Sequence, residues 1–265
     1  MKLTLIITTY NWPQSLLLVI ESIKHQTIYP DEVIIADDGS NSSTKDLIDD
    51  FKKNSELKII HSWQKDIGFR AARSRNNAIL KSTGEYIVLI DGDTILHCDF
   101  IKDHIMNAKP GNFVQGTRSL ISKKQTKTAL IEKKINFSFF SIGLKNRKNS
   151  IHSNLLSSIF SNDKNHLRGI KSCNMAFYRK DCLNINGFNN EFEGWGREDS
   201  EFVVRLMNSG VKRKNARFNA IQFHLWHNEN PRVSLIKNDE ILNDAIHNQK
   251  NWCKNGINSL EENDS

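Results

Sequence analysis

Cysteine and proline are scarce in this chain, at four residues each in 265, and no apolar run is long enough to cross a bilayer. Cys98, Cys173, Cys182 and Cys253 show no CxxC spacing, which argues against a disulfide framework or a zinc site and for reduced thiols. Nothing ahead of Leu3 has a signal-peptide layout, so a cytoplasmic location is expected. A basic surface of this kind also suits peripheral contact with the inner face of the membrane. The net charge is +7, yet the lysines and arginines are scattered. The small clusters Lys123-Lys124, Lys133-Lys134 and Lys212-Arg213-Lys214 do not alternate with aromatics as a nucleic-acid groove would. No nucleic-acid partner is expected, and the charge suits an anionic substrate.

What is present is a strand-helix alternation over the first hundred residues. Leu3 to Thr9 is an apolar, β-branched strand, and Pro13 marks a helix start. Leu16, Leu17, Val19, Ile20 and Ile23 then form a helical stripe within 14–25. Further strands are predicted at 32–36, 57–61 and 86–90, and further helices at 43–53 and 70–81. Three β-α-β crossings predict a mainly parallel sheet layered with helices, whose ligands bind beyond the carboxyl ends of the strands. Thr8-Thr9-Tyr10, Asp37-Asp38 and Asp91-Gly92-Asp93 all fall at such ends. Residues 121–170 hold few clean periods. Phe137, Phe139, Phe140 and Ile142 there predict a mobile or partner-covered segment. A second organised stretch runs from Ile170 to about Trp226, with a strand near Cys173 to Tyr178 and a helix from about Arg197 to Asn208.

Four constellations carry chemistry. Asp91-Gly92-Asp93 delivers two carboxylates from a buried strand to one sheet edge, where they suit a hard divalent cation and hence a diphosphate. Gly194-Trp195-Gly196-Arg197-Glu198-Asp199 places an indole on a glycine loop ahead of two carboxylates. The indole offers a stacking surface for a sugar, and Asp199 or Glu198 a base for its hydroxyl. Both groups also have a plain structural explanation, as a surface turn and as acidic capping of a helix. His224 and His227 lie three apart: in a helical turn they share a face and one metal, in a strand they do not. Arg70, Arg73 and Arg75 open a helix and suit phosphates.

With these residues quoted, the chain resembles the inverting, nucleotide-sugar-dependent glycosyltransferases of family 2. The landmarks are Ile6 to Asn11, Ile34 to Ser40, Arg73-Ser74-Arg75-Asn76, Tyr86 to Asp93 and Cys173 to Phe177. The second half is similar to the galactosyltransferase-type segment of β-1,4-galactosyltransferases and bacterial chondroitin-type polymerases, through Gly194 to Asp199 and the His224–His227 pair. The resemblance covers roughly residues 3–230. It implies a GT-A fold: α/β, Rossmann-like, with a mixed, mainly parallel sheet flanked by helices. It implies one domain over 1–240, with a nucleotide-binding half at 1–95 and an acceptor-binding half at 96–240, then a C-terminal helix and frayed tail over 241–265.

The resemblance also assigns roles. Thr8 and Tyr10 would line the nucleobase pocket, with Asp37, or in second place Asp38, accepting from the base. Arg75, with Arg73 the alternate, would lie near the diphosphate. Asp91 and Gly92 would meet the donor, and Trp195 would pack on the sugars. Asp93, His224 and His227 would hold Mn2+ or Mg2+. Asp199 would be the catalytic base and Glu198 would hold hydroxyls, while Arg197 would set a bulky cation beside the acceptor. Residues 228–239 would close over the donor. The implied activity is transfer of a hexose or N-acetylhexosamine from a UDP-sugar to a free or lipid-linked bacterial surface glycan, such as lipopolysaccharide or capsule. The competing reading is a non-catalytic carbohydrate- or nucleotide-binding module of the same fold. A nucleotidyltransferase would need a glycine-rich phosphate loop where Thr8 to Pro13 stands instead.

Overall fold

The computed structural model describes residues 1–163, 165–228 and 231–261. The first half alternates β1 (Leu3–Thr9), α1 (Pro13–Lys24), β2 (Glu32–Asp37), α2 (Ser42–Lys53), β3 (Ile59–Trp63), α3 (Ala71–Lys81) and β4 (Tyr86–Asp91). Next come β5 (Thr94–Leu96), α4 (Phe100–Asn107), β6 (Asn112–Gln115), β7 (Thr117–Ile121), α5 (Lys123–Glu132), β8 (Leu144–Lys145) and α6 (Asn154–Phe160). The remainder is β9 (Asn174–Tyr178), α7 (Arg179–Asn184), α8 (Glu198–Asn208), β10 (Lys212–Asn215), β11 (Ile221–His224), α9 (Leu235–His247) and α10 (Asn258–Glu261).

One sheet has the order β10-β6-β9-β4-β1-β2-β3, and only β9 runs against its neighbours. A smaller sheet, β5-β11-β7-β8, stands beside it. The expected mixed, mainly parallel α/β architecture is borne out. The apolar strand runs follow from two-sided burial. Because side chains alternate across a strand, Leu5, Ile7, Val33, Ile35, Val88 and Ile90 enter the core that Leu16, Val19 and Ile23 of α1 complete. Ile6, Ile34, Ile87 and Leu89 face the opposite core, with Ala78 and Ile79 of α3 and Phe202 and Leu206 of α8. The strand order reverses at β1, which lies between β4 and β2. That reversal opens a crevice beyond the carboxyl ends of β1 and β4, where Thr8 pairs in register with Asp91.

Three expectations need correction. The third strand begins at Ile59 rather than Leu57, because pairing with β2 runs from Val33↔Ile59 to Asp37↔Trp63, while Leu57 N–H belongs to a turn closed by Ser55 Oγ. The stretch 121–170 carries two helices. α5 is capped by Ser122 and α6 by Ser153, but α5 buries only Thr126 and Ala129 and α6 only Ser157, so neither shows an apolar stripe. Phe137 packs against the core ring of Phe223, with centroids 5.5 Å apart and the rings tilted by 37°, while Phe140 and Ile142 are exposed. The boundary expected at residue 240 falls inside α9, which packs on α8 through Leu242 and Ala245 against Val204. Of the tail expected to fray past Leu260, residues 262–265 lie outside the described residues.

The anchor of α8 is buried. Arg205 donates to both carboxylate oxygens of Glu201 at 2.7 and 2.8 Å and to the Ile185 carbonyl at 2.6 Å. Replacing Arg205 with Met strands the Glu201 charge in the core. The expected loss is about 3–5 kcal/mol of unfolding free energy, read by urea denaturation, and a change within ~0.5 kcal/mol would contradict this role.

Candidate active site

A cleft of about 850 Å3 opens at the crevice of β1 and β4. Thr8, Tyr10, Asp38, Arg75, Asp91, Gly92, Asp93, Trp195, Glu198, Asp199, His224 and His227 all line it. The sequence-predicted residues from both halves of the chain therefore converge on one cavity.

Gly92 makes the acidic turn possible. Its N–H donates to Thr8 O at 2.7 Å and its carbonyl accepts from Ser15 Oγ at 2.7 Å. A Cβ at this position would meet Thr9 Oγ1 at 2.9 Å and Thr8 O at 3.2 Å, so a larger residue requires Thr9 to shift. The backbone carbonyl of Asp93 accepts from Leu225 N–H at 2.9 Å, which ties the turn to the end of β11. That tie sets the histidines. His224 is the last residue of β11, the chain then leaves the strand, and both imidazoles face the same carboxylate. Nε2 of His224 lies 3.5 Å and Nε2 of His227 3.2 Å from Asp93 Oδ2. The pair is thus neither in a helical turn nor across a strand.

This trio fits a divalent cation. Ligand atoms of Asp93, His224 and His227 all lie within 4.8 Å of one another, and Asp93 Oδ1 is buried without a hydrogen-bond partner. A carboxylate oxygen left bare in that way is costly unless a cation takes it. Mixed imidazole and carboxylate ligands suit Mn2+ and related ions. Burial pushes the Asp93 carboxyl up, but His224 and His227 outweigh it and hold it below the usual range. The hydrogen bond to Asp93 raises His227 to about 9, whereas burial lowers His224 despite Asp93.

Arg75 lines the cleft and is itself buried. Its Nε donates to Thr8 Oγ1 at 3.2 Å, one terminal nitrogen to Glu198 Oε1 at 3.1 Å, and the other lies 3.6 Å from Asp91 Oδ1. Burial raises the Asp91 carboxyl to about 6, with Arg75 opposing. Asp199 opens α8 one residue past Glu198 and accepts from Ser200 Oγ at 3.2 Å. Burial, then the adjacent Glu198 charge, pushes it up to about 7 against the pull of Arg75. A carboxylate with that value is a competent base near neutral pH.

The loop ahead of α8 depends on its glycines. Gly194, Gly196 and Arg197 take φ of +72°, +105° and +79°. At Gly194 a Cβ would also meet Ser234 Oγ at 2.5 Å. Trp195 is held over the cleft 39% exposed, with the Arg232 guanidinium 5.2 Å from its ring centre. Arg197 lines the cleft but pairs with Asp239 of α9 through Nε at 2.5 Å, so its charge is partly engaged. In the 228–239 segment, residues 229 and 230 lie outside the described residues.

Three residues singled out in the sequence, Asp37, Arg70 and Arg73, are not among those lining the cleft. Asp37 is fully buried: Oδ1 accepts from Ser40 N–H at 2.8 Å and Oδ2 contacts His61 Nε2 at 2.8 Å. Its neighbour Asp38 faces the cleft instead, accepting from Gln64 Nε2 at 2.5 Å and Arg70 N–H at 2.7 Å. Arg73 is not among the lining residues, and Arg70 donates to the Lys65 carbonyl at 2.6 Å. Sequence reasoning missed Arg118 of β7 and Lys171, which both line the cleft. The charge of Arg118 acts on both Asp91 and Asp93. Neither residue belongs to a recognisable spacing.

The family profile of glycosyl transferase family 2 matches residues 4–184, and that described as the N-terminal domain of galactosyltransferase matches 156–228. The chain belongs to glycosyl transferase family 2. It is 25% identical over 231 residues to a chondroitin synthase of Escherichia coli, covering 78% of this chain and 32% of that protein. It is 27% identical over 232 residues to a hyaluronan synthase of Pasteurella multocida, covering 78% and 23%. It thus spans a third or less of the length of these relatives. Among solved structures, Staphylococcus aureus TarS 1-349 in complex with UDP aligns at TM-score 0.62 and 15% identity, over 91% of this chain and 64% of that one. A Pyrobaculum calidifontis mannosyltransferase with GDP-Man and Mn2+ aligns at 0.56 and 17%, over 84% and 56%. At these identities the two structures speak for the fold alone. No helix among the described residues is long and apolar enough to cross a membrane.

Mn2+ titrated into the protein with a nucleoside diphosphate, followed by loss of the free-ion EPR signal, should bind at the Asp93 trio. The account expects D93N and H227A each to weaken that binding by about tenfold or more. Equal affinity in D93N would place the ion elsewhere.

Proposed function

We propose that this domain transfers a hexose or N-acetylhexosamine from a UDP-sugar to a hydroxyl of a bacterial surface glycan, with inversion at the anomeric carbon. The observation that carries the reading is one cleft holding both an Asp93–His224–His227 trio and, at the start of α8, a carboxylate raised to about 7. The chondroitin and hyaluronan synthase relatives, and an O-antigen chain rhamnosyltransferase of Salmonella typhimurium 40% identical over 101 residues, favour a surface-glycan acceptor. The net charge of +7 supports peripheral contact with an anionic inner membrane face, where lipid-linked acceptors reside.

In this reading Asp199 accepts the proton of the acceptor hydroxyl. The oxygen forms a bond to the anomeric carbon on the face opposite the nucleotide, and the carbon–oxygen bond to the diphosphate breaks. The products are the glycoside and UDP, with the proton on Asp199. Asp93, His224 and His227 would hold a divalent cation, which when bound would neutralise charge on a departing diphosphate. Arg75 holds Glu198 and Asp91 in place, so that Glu198 orients hydroxyls rather than competing as the base. Trp195 offers its exposed indole face to the sugars, and Asp38, which lines the cleft where Asp37 does not, would be the carboxylate that meets the nucleobase.

Two outcomes test the assignment. D199N should retain UDP binding and lose transfer by about 10^2-fold or more, measured as UDP release with acceptor. Full turnover by D199N, or no UDP release by the unchanged protein with any nucleotide sugar, would remove the reading. The pH profile carries a sign. The base form of Asp199 is populated above about pH 7, so kcat/KM should fall about tenfold per pH unit below that point and level off above it. Because the Glu198 charge is the second cause of the shift, E198Q should move the inflection to lower pH. An inflection unmoved in E198Q would detach the profile from Asp199.

A further inference from the structure

A second cavity, of about 520 Å3, adjoins the cleft and shares Arg118, Leu120, Lys171 and Cys173 with it. The two differ sharply in charge. The cleft is lined by Asp38, Asp91, Asp93, Glu198 and Asp199, whereas no carboxylate is among the described residues lining the second cavity. Its cations are Arg118, Lys171, Arg213 and Arg217, and the side-chain amides of Asn146 and Asn149 also line it. Amides of this kind suit sugar hydroxyls, and guanidinium groups suit carboxylate or phosphate.

The wall also holds unsatisfied polar groups. Arg213 is 3% exposed. One of its terminal nitrogens donates to the carbonyls of His166 and Arg168, but its Nε is buried with no partner. Thr117 Oγ1 is buried and unpartnered in the same wall. Both atoms are shut off from the cavity and shape its wall, so the cations open to a ligand there are the half-buried Lys171 and the exposed Arg217. Lys171 joins this cavity to the catalytic end of the cleft. Burial, then the neighbouring Arg118, lowers its ammonium below the ordinary value, and Asp199 is close enough to act against both. An anion in the cavity would relieve that excess of positive charge.

We propose that this cavity seats an anionic group of the acceptor, a carboxylate or a phosphate on the glycan whose hydroxyl is presented to Asp199. The assignment rests on the glycosyl-transfer reading for the word acceptor, but not for the anion site itself. The donor diphosphate belongs at the Asp93 trio, so a second, carboxylate-free cationic chamber that adjoins the cleft through Arg118 and Lys171 is left for the other substrate. It selects acidic glycans, whether their charge is a uronate or a phosphate substituent, over neutral ones.

The test titrates the full chain, held with saturating UDP and Mn2+, with methyl glucuronide, glucose 6-phosphate, methyl glucoside and inorganic phosphate, by calorimetry. Expected are binding of one or both sugar anions, at least about tenfold weaker binding of the neutral glycoside, and about tenfold loss of anion affinity in R217Q and in K171Q. Arg217 lines this cavity and not the cleft. The affinity order of the two sugar anions names the charge that is recognised. Equal binding of neutral and charged glycosides, anion affinity unmoved in both variants, or inorganic phosphate binding as tightly as the sugar anions overturns the proposal. So does displacement of the anion by UDP. The comparison of neutral and charged ligands in the unchanged chain does not depend on either variant folding. Absence of UDP binding alongside intact sugar-anion binding would count against the donor reading and not against this cavity.

Discussion

The buried guanidinium of Arg75 is the contact on which the cleft depends. It joins Thr8 of β1, Asp91 at the end of β4 and Glu198 at the start of α8, three segments far apart in the chain. Burial acts to lower its pKa, but Glu198, Asp91 and Asp199 together outweigh that and keep the cation charged. The same charge lets three carboxylates crowd into one cavity without mutual expulsion. A neutral side chain there would remove the ion pairs of Asp91 and Glu198 and leave only the more distant Arg118 charge acting on Asp91.

From that arrangement follows a division of labour between carboxylates of the same chemistry. Asp93 and Asp199 are both pushed up by burial. Two imidazoles reverse the effect at Asp93 and keep it ionised, as a cation ligand must be. At Asp199 the neighbouring charge is Glu198, which adds to the effect of burial and brings the group to about 7. Environment, not residue type, separates ligand from base. The same logic separates the two cavities, one carboxylate-rich and cation-seeking, the other carboxylate-free and anion-seeking.

Much of this was legible in the sequence because β1, β2 and β4 are covered on both faces, which forces apolar runs that end where the cleft begins. The acidic turn, the glycine-flanked indole and the histidine pair stood out for the same reason, since each breaks a regular pattern with a costly residue choice. Other features left no such mark. Asp37 and Asp38 are adjacent, and β2 runs one residue further than its apolar core, so only the pairing of β2 with β3 decides which carboxylate is turned inward. α5 and α6 bury so little that their periodicity is lost, although Ser122 and Ser153 are sound capping residues. Arg118 and Lys171 reach the cleft only through tertiary placement of β7 and of the approach to β9. Such contacts between distant segments have no spacing to read.

A crystal structure of the protein with UDP and Mn2+, using the anomalous signal of manganese, tests the central claim most directly. The account predicts one anomalous peak within coordination distance of Asp93 and His227, with the diphosphate on the same ion and the Asp199 carboxylate facing the open side of the cleft. A peak away from Asp93, or a nucleotide seated where Asp199 faces none of the space beside it, would contradict the account.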